Sequence, residues 1–121
     1  MLDELNISQE TDLTIVTFAT QTVLDLATSD DVARRLLALA NGPPPPRVLI
    51  DFHDVRFLAS RMLGVLVDLT RKAQAVGGKV VLCGLKPELR GIFQVTRLER
   101  LLKVVQDPDK ARALLRSGAS A

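Results

Sequence analysis

Hydrophobic and polar residues alternate near the start of the chain, whereas farther along the apolar residues recur at helical spacing. Residues 6–8 and 12–19 have the two-residue period of strands, and the polar segment between them predicts a hairpin. Residues 28–41 open with the capping signal TSDD and carry apolar side chains at helical spacing, which predicts a first helix. The four prolines from Pro43 to Pro46 predict a stiff extended connector, because proline neither continues a helix nor donates to a sheet.

An almost unbroken apolar run, RVLIDF at residues 47–52, is typical of a central strand that is buried on both faces. Residues 60–76 predict a second helix, capped by Ser60 and closed by Gly77 and Gly78, and the apolar segment KVVLCG at residues 79–84 predicts another buried strand. The remaining elements are a helix over 87–96, a strand over 101–105 and a helix over 108–116.

The resulting order, ββαβαβαβα, is typical of a single α/β domain. It predicts a mixed sheet of about five strands with about four helices packed against it. We expect the domain to occupy residues 1–116 and the small polar residues 117–121 to form a disordered tail.

Composition narrows the classes of function. The chain has 121 residues, of which 47% are hydrophobic, and this suits one domain with one core. The net charge of +2 comes from charges that alternate in sign, and only 3% of the residues are aromatic, so nucleic acid is not the expected partner. The first residues lack a signal-peptide pattern, and no apolar stretch approaches the ~18 residues of a membrane span. We therefore expect a cytoplasmic protein with no membrane partner.

Motifs for catalysis are scarce in this sequence. Neither a phosphate-binding loop nor a dinucleotide-binding glycine motif occurs, and a single cysteine leaves too little sulfur for a disulfide framework or a zinc site. Two enzyme-like interpretations remain: Cys83 beside His53 as a catalytic pair, and Asp51 as a phospho-accepting residue at a strand end. For both we favour structural roles, Cys83 as a small core residue and Asp51 as the cap of a turn. We expect no enzyme activity, no cofactor and no metal.

Residues 47–102 contain the most specific motif of the chain. An apolar strand ends in an acid and is followed by a hydrophobic pair, a serine that opens a helix, a Leu-Gly step, a double glycine and an Arg-Leu step. The residues that form this series are Asp51, Phe57, Leu58, Ser60, Leu63, Gly64, Gly77, Gly78 and Leu98. The series resembles the pattern of the STAS domain family, which is shared by anti-sigma factor antagonists and the cytosolic parts of sulfate transporters. Leu24 and Asp25 are similar to the Leu-Asp of an earlier loop of that family.

The resemblance implies a bacterial regulator of transcription that acts by binding another protein. In the regulatory members, a partner that is both anti-sigma factor and serine kinase phosphorylates the first serine of the helix-opening motif, and a serine phosphatase reverses the modification. Carried over, Ser60 is the phosphoacceptor, and the unmodified chain captures the anti-sigma factor. A phosphate at this position would be stabilised by the helix N-terminus by roughly 0.3–1 kcal/mol, and its charge would expel the partner.

Three departures from the family motif surround this serine. The family opens its helix with Asp-Ser-Ser-Gly, whereas this chain has Ala59 in place of the Asp, Arg61 in place of the second Ser and Met62 in place of the Gly. Two interpretations of Ser60 stay open, a phosphoacceptor or only a helix cap that contributes about 1 kcal/mol. An alternative function also stays open, a STAS scaffold subunit of a signalling or transport assembly that is never phosphorylated.

The predicted partner surface surrounds the start of the second helix. Apolar side chains cover an arc of about 200° on this helix, more than packing on a sheet requires, so we expect Met62 and Val65 to be partly exposed. The predicted partner-binding residues are Asp25, Arg56, Ala59, Ser60, Arg61, Met62 and Val65. The sequence does not predict the oligomeric state.

Overall fold

The structure is a computed structural model that describes residues 5–18, 22–24, 29–41 and 45–116. Its strands are β1 (Leu5–Glu10), β2 (Leu13–Phe18), β3 (Thr22–Leu24), β4 (Arg47–Asp51), β5 (Val55–Leu58), β6 (Lys79–Cys83) and β7 (Lys103–Val105). Its helices are α1 (Ser29–Ala38), α2 (Ser60–Ala75), α3 (Pro87–Val95) and α4 (Pro108–Arg116), with short 3₁₀ turns at Leu39–Asn41 and Leu98–Arg100.

Five strands form the main sheet, in the order β1-β2-β4-β6-β7. The hairpin strand β1 is antiparallel to β2, whereas β2, β4, β6 and β7 run parallel to one another. The predicted mixed sheet of five strands and four helices is confirmed, and α4 has the predicted bounds. The predicted tail at 117–121 and two prolines of the connector, Pro43 and Pro44, lie outside the described residues.

Two short strands were missing from the sequence prediction. β3 and β5 pair in parallel as a separate two-stranded sheet, with Leu24 opposite Leu58. In β5 the buried residues Val55 and Leu58 enclose two exposed residues, so the segment lacks the strict two-residue period by which strands are predicted. This small sheet matters because β5 leads directly into α2.

Strand β4 separates two hydrophobic layers. Val48 and Ile50 face the larger layer, which lies against α1, α2 and α3, whereas Leu49 faces the smaller layer under α4. All three side chains are buried, as predicted for a central strand. Fully burying a side chain of this size stabilises the folded state by about 1.5–3 kcal/mol.

The turn between α2 and β6 packs tightly against the end of the proline connector. Gly78 is buried and lies against Pro46, and the Lys79 N–H donates a hydrogen bond of 2.9 Å to the Pro46 carbonyl oxygen. A Cβ at Gly78 would overlap this carbonyl oxygen and the proline ring. The glycine therefore permits the close approach of two backbone segments.

Replacing Gly78 with alanine should destabilise the domain by about 1–3 kcal/mol, because the two backbone segments would have to separate. Urea unfolding followed by far-ultraviolet circular dichroism would measure this loss. The matched control is Gly91→Ala in α3, where a Cβ meets no atom within 4 Å. The control should stabilise the protein by about 0.5–1 kcal/mol, since alanine is the better helix former. Equal effects of the two substitutions would contradict the packing described for Gly78.

Candidate functional site

The start of α2 lies one residue after β5. Ala59 is the N-cap residue, with an extended backbone (φ −68°, ψ 149°), and Ser60 is the first helical residue. The predicted capping role of Ser60 is therefore wrong by one position. The first turn is closed by the Met62 N–H, which donates to the Ala59 carbonyl oxygen at 2.9 Å.

The hydroxyl group of Ser60 is available to solvent and to other molecules. The side chain is exposed, and no group in the described part of the chain forms a hydrogen bond with its hydroxyl oxygen. A hydroxyl at the first turn of a helix lies close to backbone N–H groups that have no partner within the helix. The position can therefore accept a bulky anionic group without disturbing the core.

Arg61 forms an ion pair with Asp30 in the first turn of α1. Both side chains are largely exposed, so the pair contributes at most about 1 kcal/mol to stability. The pair connects the residue after Ser60 to α1 and places a carboxylate beside the guanidinium group of Arg61. The sequence prediction missed Asp30, since its proximity to Arg61 depends on how the two helices pack.

Phe57 and Arg56 present an apolar and a cationic side chain next to the start of α2. Phe57 is 51% exposed, although aromatic rings are usually buried, and Arg56 is exposed as well. The sequence analysis used Phe57 only as part of the motif and missed it as a surface residue. Its exposure follows from β5 being part of a two-stranded sheet, which buries only some of its side chains.

The predicted exposure of Met62 and Val65 is wrong. Met62 is 0% and Val65 8% exposed, and both belong to the larger hydrophobic layer. The reason is that α1 packs against α2 and covers the apolar arc that the sheet alone would leave open. Ala59 is also buried, and Asp25 lies outside the described residues. The exposed part of the predicted surface thus consists of Arg56, Ser60 and Arg61, to which the structure adds Phe57.

Asp51 stabilises a turn at the carboxyl end of β4. Its Oδ1 accepts a hydrogen bond of 2.9 Å from the His53 N–H, and the Lys86 ammonium group donates to the His53 carbonyl oxygen at 2.7 Å. Gly84 has a positive φ of 74°, and a Cβ there would lie 2.6 Å from the Asp51 Oδ1. The predicted role of Asp51 as the cap of a turn is confirmed.

Cys83 is a core residue, as predicted. It pairs with Asp51 in the β4–β6 register, and its fully buried side chain packs with Ala111 and Leu115 of α4, whereas His53 is exposed. Burial, followed by the negative charge of Asp51, raises the pKa of the Cys83 thiol to about 12. A protonated thiol is a poor nucleophile, so this arrangement does not support a Cys-His catalytic pair.

Within the described ranges, no group of three or more His, Cys, Asp or Glu residues is arranged to hold a metal ion. In the same residues, no helix is both long enough and apolar enough to cross a lipid bilayer.

Comparison with known proteins identifies the family and the fold. The model of the STAS domain matches residues 6–111 of the chain. The chain belongs to the STAS domain family. Among curated proteins, this STAS chain is similar to BtrV of Bordetella bronchiseptica, named as a candidate anti-sigma factor antagonist. The two are 27% identical over 71 residues, which span 59% of this chain and 61% of BtrV.

Solved structures of the STAS family share the fold over nearly the whole chain. An anti-sigma-factor antagonist (STAS) domain protein from Planctomyces limnophilus has 24% identity and a TM-score of 0.82, covering 96% of this chain and 98% of that one. The anti-sigma factor antagonist SpoIIAA, in its unphosphorylated form, has 18% identity and a TM-score of 0.75, covering 96% and 99%. The phosphorylated form of SpoIIAA, a Bacillus cell fate determinant, has 18% identity and a TM-score of 0.67, covering 93% and 99%.

The raised pKa of Cys83 predicts a loss of stability at alkaline pH. In the unfolded chain the thiol ionises near pH 9.0, whereas in the folded STAS domain it stays protonated up to about pH 12. The unfolded state therefore binds fewer protons in this window, and the free energy of unfolding should fall as the pH rises, by up to about 1.4 kcal/mol per pH unit. The stability that the protonated Cys83 thiol contributes is fully present below pH 9.0, the pKa of the thiol in the unfolded chain.

Urea unfolding at a series of pH values would measure this slope. Cys83→Ala is the comparison, since it removes the titrating group from both states. The variant should lose the contribution of Cys83 to the alkaline slope, even though the small cavity lowers its stability overall. An unchanged slope in the variant would show that other groups cause the alkaline loss.

Proposed function

We propose that this STAS domain is an anti-sigma factor antagonist. In this proposal the unmodified domain binds an anti-sigma factor through Arg56, Phe57, Ser60 and Arg61 and thereby frees a sigma factor in the bacterial cytoplasm. The partner is also a serine kinase, which transfers a phosphoryl group from ATP to Ser60, and a serine phosphatase restores the binding form. The domain itself acts by binding and has no catalytic role.

The observation that carries the proposal is the environment of Ser60. Its hydroxyl is exposed and has no hydrogen-bond partner among the described residues, it lies at the first residue of a long helix, and Phe57 is half-exposed close by in sequence. An apolar side chain next to a modifiable hydroxyl suits a surface that is occupied in one state and vacated in the other. BtrV and SpoIIAA, which share this fold or part of this sequence, are named for the same role.

The charge of a phosphate group explains why the phosphorylated form in this proposal releases the partner. A phosphate group on Ser60 would add nearly two negative charges directly before Arg61, whose guanidinium group already pairs with the exposed carboxylate of Asp30. A partner surface that matched the neutral serine and the apolar ring of Phe57 would then meet a hydrated dianion. Desolvating this dianion would cost more than the apolar contact contributes, so the partner dissociates.

The other predicted residues have different parts in this proposal. Ala59 fixes the conformation at the start of α2, and Met62 and Val65 support the surface from below, since all three are buried. Asp25, which is assigned to the partner surface by the resemblance, remains a proposed contact.

A second candidate function is a STAS scaffold subunit that is never phosphorylated. The observation that favours it is Arg61, which is held by Asp30 directly after Ser60 in place of the second serine of the family motif. A bulky, ion-paired side chain at this position can obstruct the access of a kinase to the neighbouring hydroxyl.

The two candidates predict different states of Ser60 in the native cell. Under the first, intact-mass spectrometry of the protein isolated from its own cells should show a phosphate-sized increment that Ser60→Ala abolishes. Ser60→Glu should weaken binding to the co-purified anti-sigma factor by at least about tenfold, whereas the control Ser8→Glu, on the exposed face of β1, should not. Absence of the increment under growth and stress conditions, together with unimpaired binding by Ser60→Glu, would favour the scaffold.

Phe57 should contribute to binding without contributing much to stability. Truncating it in Phe57→Ser should weaken partner binding by about tenfold or more, since half-exposed aromatic residues often dominate an interface. The matched control is Val76→Ser, which removes a side chain that is 47% exposed at the other end of α2. Isothermal titration calorimetry would compare the two, with thermal unfolding as a check on folding. Equal affinities of the two variants would show that Phe57 on β5 does not belong to the contact surface.

A further inference from the structure

Residues 90–103 carry more positive than negative charge. Between residues 90 and 103 the chain has four cationic side chains, Arg90, Arg97, Arg100 and Lys103, and one carboxylate, Glu99, although the net charge of the whole chain is only +2. Within the described residues, none of the four cations has an acidic partner within 4.0 Å. The Arg90 guanidinium group donates a long hydrogen bond, of 3.4 Å, to the side-chain oxygen of Gln106. This charge is therefore uncompensated.

Exposed apolar side chains lie in the same segment. Val95 is 85%, Leu101 48% and Ile92 37% exposed. Ile92 and Val95 are three residues apart on α3 and so share one face of the helix. Leu101 follows the 3₁₀ turn that packs against the end of α3, and its N–H donates to the Leu98 carbonyl oxygen at 2.9 Å. Together with the four cations, these three residues form what we call the α3–β7 basic patch.

A hollow of about 150 Å³ adjoins this patch, between α3 and the edge strand β7. The buried side chains of Phe93 and Leu102 contribute to its lining, and Arg90 and Lys103 are among its polar lining residues. Gln94 and Glu99 line it as well, so its exposed lining is mainly polar and can receive a polar or acidic side chain of a partner beside Arg90 and Lys103.

The backbone of Arg97 supports a role for its side chain. Arg97 has a φ of 60°, the left-handed conformation, and it is the one non-glycine residue with positive φ in the described part of the chain. A residue with a Cβ is disfavoured in this conformation relative to glycine. The fold nevertheless places an arginine at this turn, where its exposed guanidinium group adds to the patch.

Most of the patch lies toward the end of the sheet opposite Ser60, whereas Arg90, which contacts Gln106 after the carboxyl end of β7, lies toward the same end as Ser60. Ser60 begins α2 near the carboxyl ends of the parallel strands, and α3 begins at the same end, directly after β6. The last turn of α3 therefore lies at the opposite end of the sheet, where β7 begins. A partner on the patch could bind at the same time as a partner at Ser60.

We propose that the α3–β7 basic patch binds an acidic amphipathic helix of a partner protein. Spaced carboxylates on such a helix would pair with the cations, and its apolar face would cover Ile92, Val95 and Leu101. Nucleic acid fits less well, because the one aromatic residue of the segment, Phe93, is buried and cannot stack on a base. An anionic bilayer fits less well too, because Glu99 lies among the cations and would face the dense negative charge.

The test is a titration of the isotope-labelled full chain with a synthetic helical peptide. The peptide is about five helical turns long and has leucine on one face and glutamate on the other. Nuclear magnetic resonance follows the amide shifts of the protein during the titration. Amide shifts should change in residues 90–103 with a dissociation constant below about 1 mM, while the amides around Ser60 stay unchanged. Arg100→Glu should weaken binding by about tenfold, whereas the control Lys110→Glu, which makes the same charge change on α4, should not.

A second variant tests the contribution of the apolar side chains of the patch. Val95→Ser should weaken peptide binding several-fold, whereas Ile7→Ser on the opposite edge strand should leave it unchanged. Shift changes outside residues 90–103, or none up to about 1 mM peptide, would overturn the proposal. So would preferential binding, at equal charge concentration, to a duplex DNA or to phosphatidylserine vesicles. None of these outcomes depends on phosphorylation of Ser60, so the proposed function is tested separately.

Discussion

The burial of β4 on both faces is the constraint on which the rest of this domain depends. Val48 and Ile50 must face one hydrophobic layer and Leu49 the other, so helices are needed on both sides of the sheet. Neighbouring strands must also satisfy the backbone groups of β4, and they do so in parallel, with β2 on one side and β6 on the other. Parallel pairing requires a long crossover, and α2 provides it between β4 and β6.

This arrangement places the start of α2 at the carboxyl ends of the strands. Exposed residues there contribute little to the packing of the core. A hydroxyl group such as that of Ser60 can therefore be exposed without loss of packing. Directly beneath it, Met62 is fully buried, because α1 closes over the apolar face of α2. One helical turn thus combines a residue that is free to be modified with a residue that fixes the helix in the core.

The residues that most resemble catalytic groups have structural roles here. Asp51 holds the turn after β4 by accepting the His53 N–H, and Gly84 makes room for that carboxylate. Cys83 lies in the layer under α4, where burial keeps its thiol protonated. The exposed groups on which our proposals rest are different: a hydroxyl and an aromatic ring near the start of α2, and cations with apolar side chains on α3 and after it.

The amino-acid sequence by itself determined the order of the main elements, the central position of β4 and the STAS family, because these depend on periodicities, glycine and proline positions and a motif that are all local. It also favoured structural roles for Asp51 and Cys83. Only the tertiary structure decided that Met62 and Val65 are buried, that Arg61 pairs with Asp30 and that Phe57 is exposed. It alone decided that β3 and β5 pair, and that Ala59 rather than Ser60 is the cap of α2. The reason is physical: the exposure of a side chain on an amphipathic helix or a short strand depends on which other element covers it, and residues far away in the sequence provide that cover.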